Sequence, residues 1–167
     1  MQRILGIDPG SRITGYGIID VSSGTPRYVT SGTIRTEGKA FPERLKQIYE
    51  QLSELLHAYQ PEQSAIEEVF VHRNPNSALK LGQARGAAIC ACVVAGLPVA
   101  EYTPREIKQA VVGGGGAGKD QVQYMVRALL RLNGNLQVDA SDALAIALCH
   151  SHRSVMDNRL SSFTRSR

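Results

Sequence analysis

Four carboxylates in this 167-residue sequence could act together on one chemical step: Asp8, Glu67, Asp139 and Asp142. Asp8 ends the apolar run Arg3-Ile4-Leu5-Gly6-Ile7, and Glu67 ends the shorter run Ser64-Ala65-Ile66. An acid closing a buried strand loses hydration, and that loss must be offset by a partner or a cation. Asp139 and Asp142 are three apart at an expected helix start, so one turn puts both on the same side. Together they resemble an oxygen-only site suited to a hard divalent ion such as Mg²⁺ or Mn²⁺. No Cys or His cluster competes for a softer metal. Each acid also has a plainer reading at this point. Asp8 before Pro9-Gly10 can simply form a turn, and Asp139 and Asp142 can cap a helix and complement its dipole.

The elements that must position these acids follow from periodicity. The segments 3–8 and 15–20 read as a strand, a tight Gly-rich turn and an antiparallel return strand. The glycines beside Asp8 would let another backbone or a phosphate come close. Residues 27–35 are β-branched and form a third strand. Phe41, Leu45, Ile48, Leu52, Leu55, Leu56 and Tyr59 recur every three or four residues, between Pro42 and Pro61, as a helix covering one face of a sheet does. Residues 64–70 predict a fourth strand, 77–95 a long helix and 97–102 a fifth strand. Short helices are expected over 104–111 and 119–132, and a last one from Asp139. The second half of the 77–95 helix, from Gly86, is apolar all round and small, which predicts burial on several sides, in the core or against a second subunit. The order β-β-β-α-β-α-β-α-α predicts an α/β fold: a mixed five-stranded sheet with helices on both faces.

Two phosphate-binding alternatives compete. Gly113 to Lys119 matches the glycine and lysine positions of a P-loop, but Asp120 stands where a Ser or Thr hydroxyl must meet Mg²⁺. Asp8-Pro9-Gly10 matches the strand-turn of actin-like ATPases and sugar kinases, but those bind ATP between two related domains, and 167 residues suit one.

Composition sets wider limits. With 43% apolar and 20% charged residues the chain is that of an ordinary globular protein. No apolar run approaches a membrane span, and Met1-Gln2-Arg3 enters a strand directly, so no signal peptide is expected. Cys90, Cys92 and Cys149 lack metal-site spacing, and an odd set of thiols fits a reducing cytoplasm. The net charge of +4 permits a nucleic-acid partner without demanding one. Much of it sits in the last stretch, where Arg153, Arg159, Arg165 and Arg167 face only Asp157. Residues 1–152 are therefore expected to form the domain, and 153–167 a basic, disordered tail.

Four stretches carry a specific likeness: Ile7-Asp8-Pro9-Gly10, Ile66-Glu67-Glu68-Val69-Phe70, 78–86 (Ala-Leu-Lys-Leu-Gly-Gln-Ala-Arg-Gly) and 139–147 (Asp-Ala-Ser-Asp-Ala-Leu-Ala-Ile-Ala). From Met1 to about His152 the chain resembles the RuvC Holliday-junction resolvases of bacteria, in motif order and spacing. The resemblance implies a ribonuclease-H-like fold, a homodimer, and Mg²⁺-dependent cutting of four-way DNA junctions in recombination and repair. By position, Asp8, Glu67, Asp139 and Asp142 match the family's metal-binding carboxylates, which implies two Mg²⁺ per site, with Mn²⁺ able to substitute. Glu68 is read as a neighbour. Lys108 and Lys119 match basic residues near the scissile phosphate, and Phe70 an aromatic that contacts bases near the junction centre. The glycine run before Lys119 departs from the family's more varied loop. Arg73, Lys80, Arg85 and Arg105 are candidate DNA-backbone contacts, each with a solvated surface residue as the alternative. The family further implies cooperation with the RuvB branch-migration motor and the RuvA junction-binding protein. A ribonuclease H acting on hybrids, or a binding protein that has lost catalysis, would share the fold; all four acids being present argues against the second.

Overall fold

The computed structural model describes residues 1–38, 40–69 and 74–164, with the backbone alone for 155–164. Phe70 and Arg73 lie outside the described residues. Ten elements follow in chain order: β1 (Gln2–Asp8), β2 (Ile13–Ser22), β3 (Thr25–Arg35), α1 (Phe41–Tyr59), β4 (Gln63–Glu67), α2 (Pro75–Val94), β5 (Val99–Tyr102), α3 (Pro104–Val112), α4 (Lys119–Leu130) and α5 (Val138–Thr164). The strands form one sheet in the order β3-β2-β1-β4-β5, antiparallel on the β1-β2-β3 side and parallel through β1-β4-β5.

Alternation along the strands sorts the core into two layers. Leu5, Ile7, Ile18 and Ile66 face α1 and α2, whereas Ile4, Ile19 and Ala65 face α3, α4 and α5. On α1 the buried residues Ile48, Leu52 and Leu56 fall one turn apart, as the apolar period predicts.

The helical stretch buried nearly all round is 140–149, in the first half of α5. Ala140, Ser141 and every residue from Ala143 to Cys149 have at most 2% exposure, and α5 packs on β1, β2, β3, β4, α3 and α4. Glycines allow this. A Cβ at Gly6 would collide with the carbonyl oxygen of Ala143, and one at Gly15 with that of Asp139. The glycines flanking Asp8 thus admit another backbone, that of α5, rather than a phosphate.

Three local details refine the pattern. The 77–95 helix buries only a stripe, Ala84, Ala88, Ala91 and Cys92, and leaves Val93 and Val94 exposed. The segment 113–118 joins two helices instead of a strand to a helix, so it cannot act as a P-loop; Gly113, at φ 85°, ends α3 in the left-handed region. The backbone of α5 is helical through Thr164. No helix among the described residues is long and apolar enough to cross a membrane.

Candidate active site

The pairing register brings the first two acids together. Ile7 of β1 lies opposite Ile66 of β4 in a parallel ladder, so Asp8 and Glu67 follow side by side at the carboxyl ends of the two strands. Being two residues beyond Gly6 and Ala65, both point to the face that α5 covers. The carboxyl ends of parallel strands are where open α/β sheets place their ligands. The turn after Asp8 is closed by buried Thr14, whose hydroxyl donates to the Gly10 carbonyl at 2.9 Å and accepts from the Gly10 amide at 3.3 Å.

Asp139 and Asp142 come from the first turns of α5, which the approach at Gly15 draws down onto the sheet. All four acids line one open cleft of ≈ 310 Å³. Lys108 of α3 and Lys119, the first residue of α4, stand on its rim, and Ile107, Val122 and Ile146 form its apolar wall. The capping box of Thr103 and Glu106 fixes the start of α3 and hence the reach of Lys108. The helix expected from residue 119 does begin there, so the glycine run still delivers Lys119 to the acids.

The electrostatics are those of a site that wants a cation. Burial, followed by repulsion from Glu67, Asp142 and Asp139, pushes Asp8 up to about 8, with Lys119 pulling the other way. Burial likewise raises Glu67, with Asp142 adding to it and Lys119 and Lys108 opposing. Asp142 is raised by burial, and Lys119 is the main opposing charge. Carboxylates that repel one another in a desolvated cleft are stabilised together by bound positive charge. The donors are hard oxygens, fitting Mg²⁺, Mn²⁺ or Ca²⁺ rather than a soft metal. Among the described residues no three form a ready-made ligand cage; the four acids line the cleft.

The other expected contacts are dispersed. Lys80 is exposed on α2 with its ammonium 5.8 Å from the Phe41 ring centroid. Arg105 is exposed in the first turn of α3 and lies against Gly115. Arg85 does not project freely: its side chain is 16% exposed, its Nε donates to the Glu67 carbonyl oxygen at 2.9 Å, and its Nη2 pairs with Glu101. Glu101 escapes sequence reasoning, being a single acid on a short strand with no periodic signal to mark it.

Known proteins are similar to this chain in sequence and fold. The family model for "Crossover junction endodeoxyribonuclease RuvC" matches residues 4–150. The protein of that name from Alkalilimnicola ehrlichii is 65% identical over 160 residues, covering 96% of this chain and 97% of the relative. Its namesake from Methylococcus capsulatus is 56% identical over 165 residues, covering 99% of each. A solved structure of Thermus thermophilus RuvC in complex with a Holliday junction substrate superposes with a TM-score of 0.88 at 36% identity, covering 94% of this chain and 97% of that one. The yeast mitochondrial Holliday junction resolvase, at 12% identity and a TM-score of 0.74, shares the fold. Matched by the family model over most of its length and 65% identical to one such relative, the chain belongs to the RuvC family of crossover junction endodeoxyribonucleases.

Proposed function

We propose that this protein is a structure-selective endonuclease that resolves four-way DNA junctions by paired, symmetric nicks in recombination and repair. The observation that carries the reading is the convergence of Asp8, Glu67, Asp139 and Asp142 on one cleft rimmed by Lys108 and Lys119, in a chain of the RuvC family. The cofactor is a divalent metal. Two Mg²⁺ ions, with Mn²⁺ able to substitute, would supply an activated water and stabilise the leaving 3′ oxygen in an in-line displacement. The four carboxylates hold that charge in the cleft. Lys119 and Lys108 face the acids across the opening, where they would offset charge building on the scissile phosphate. The apolar wall of Ile107, Val122 and Ile146 keeps the local dielectric low, which strengthens each of these interactions.

The DNA would be held by Arg73, Lys80 and Arg105 on its backbone, with Phe70 against bases at the junction centre; Phe70 and Arg73 enter from the family resemblance alone. Symmetric nicks need two sites related by a two-fold axis. The unpaired apolar edge of α2, with Val93 58% and Val94 73% exposed, supports a homodimer. Cooperation with RuvA and RuvB, and a cytoplasmic location, belong to the same reading.

Incubating the protein with a labelled four-way junction, a plain duplex and an RNA–DNA hybrid, in Mg²⁺ or in chelator, tests it. Paired nicks in the junction alone, and only with metal, are expected. Equal cutting of the hybrid would favour a ribonuclease H, and cutting undiminished by chelator would end the metal reading.

A further inference from the structure

The ladder between β1 and β4 ends at Ile7 and Ile66. The next peptide carbonyl on β4 is that of Glu67, one residue beyond the last pairing with β1, on a strand end that carries an acid of the site. Glu67 stays paired with β5, opposite Tyr102, and its carbonyl is taken up by Arg85. Its Nε donates to the Glu67 carbonyl oxygen at 2.9 Å, while its Nη2 is paired with the Glu101 carboxylate. Glu101 lies opposite Ile66 on β5, so the guanidinium ties α2 to both strands at the level of the cleft. On the far side, the Glu68 amide donates to the Tyr102 carbonyl at 2.8 Å. The peptide following Glu67 is therefore pinned from two directions.

We propose that Arg85 is a positioning residue for Glu67, held by Glu101, and that it sets the divalent-metal affinity of the cleft instead of contacting DNA. The inference rests on the metal-site reading of Asp8, Glu67, Asp139 and Asp142. The planar fork suits this role. Nε serves a neutral carbonyl and Nη2 a carboxylate, in a fixed planar geometry that a lysine ammonium cannot reproduce. The anchoring carboxylate neutralises the guanidinium, so the brace adds little net positive charge beside the acids that must hold cations. Groups that orient metal ligands typically affect metal affinity by about 10–100-fold when removed.

The test uses full-length wild-type protein and the variants Arg85→Ala, Arg85→Lys and Glu101→Gln. Mn²⁺ binding without DNA is followed by the loss of free-ion paramagnetic resonance signal. Junction affinity is measured in chelator, and cleavage against Mg²⁺ concentration. The expected result is a rise of about tenfold or more in half-saturating Mn²⁺ for Arg85→Ala, in line with the loss of an orienting group. The Mg²⁺ requirement for cutting should rise in parallel, and junction affinity should stay within about twofold of wild type, because no phosphate contact is lost. Arg85→Lys should restore little, and Glu101→Gln, which keeps an acceptor, should give a smaller shift in the same direction. If Arg85→Ala fails to fold, Glu101→Gln carries the comparison. Unchanged Mn²⁺ binding with a large loss of junction affinity would make Arg85 a DNA contact and overturn the proposal. Unchanged metal binding and junction affinity with a lower Tm would reduce it to a packing brace, also overturning it. A wild-type protein that binds no Mn²⁺ would remove the metal site itself, an outcome distinct from either.

Discussion

Replacing Asp8 with Asn should make the metal-free protein more stable at pH 8 while abolishing cleavage. The carboxyl of Asp8 is raised from 3.8 to about 8, chiefly by burial and then by Glu67, Asp142 and Asp139. Its folded-state value therefore lies above its unfolded one. Below about pH 4 the group is neutral in both states and contributes nothing. As pH rises from there to about 8, the unfolded chain releases the proton first, so ionisation progressively favours unfolding. A shift of about four units would correspond to ~5–6 kcal/mol if taken in full. The cleft that Asp8 lines is open to solvent, and screening there reduces the effect to ~1–3 kcal/mol. Asn is nearly isosteric and never ionises, so it removes the whole penalty. At roughly 2–4 °C per kcal/mol for a chain of this size, melting in chelator should rise by about 2–12 °C at pH 8. The gain should shrink toward zero as pH falls to 4. Divalent cation should narrow the difference at pH 8, because bound metal stabilises the wild-type carboxylate and not the amide. Thermal melts of both proteins at pH 4 to 8, with and without Mg²⁺, read this directly. An Asn variant less stable than wild type at pH 8 in chelator, or a gain independent of pH, would refute the electrostatic account. Retention of more than about a tenth of wild-type cutting would refute the role in metal binding, since a lost ion should cost several kcal/mol of barrier.

Gly15→Ala should drive Asp139 away from the sheet, costing ~1–3 kcal/mol of stability by overpacking and slowing cleavage further than the residual folded fraction explains; normal turnover per folded molecule would show that α5 can retreat without moving the acid. Because Ala88 and Ala91 are buried within the protomer, charges placed there probe the core, so the dimer is better tested by Val94→Glu. That variant should sediment as a folded monomer that still binds Mn²⁺ but fails to make paired nicks, and a soluble, fully active dimer would place the interface elsewhere. Lys119→Ala should cut at least tenfold more slowly with junction affinity little changed, as expected for a charge used on the developing phosphate, whereas a pure loss of affinity would make Lys119 a binding contact.

Asp8 and Glu67 stood out in the sequence because each breaks a local pattern. Asp8 and Glu67 interrupt apolar runs, and a buried strand end is an expensive place for charge. Strand alternation, the 3.6-residue period of α1 and the prolines and glycines around them marked most elements, since these signals are local. Long-range approach decided the rest. Nothing in the pattern of 140–149 says that this stretch of α5, and not the equally apolar second half of α2, is the one buried nearly all round. That depends on Gly6 and Gly15 lying under it, on strands distant in sequence. The same approach turned Asp139 and Asp142 from helix caps into partners of Asp8. Arg85 shows the limit from the other side. A basic residue on a helix beside a nucleic-acid site reads as a phosphate contact, and only the register that puts Glu101 level with Ile66 at the end of β4 reveals what the guanidinium holds. Sequence determines which groups exist and where each local element begins; which of them meet is set by packing between segments that the chain keeps far apart.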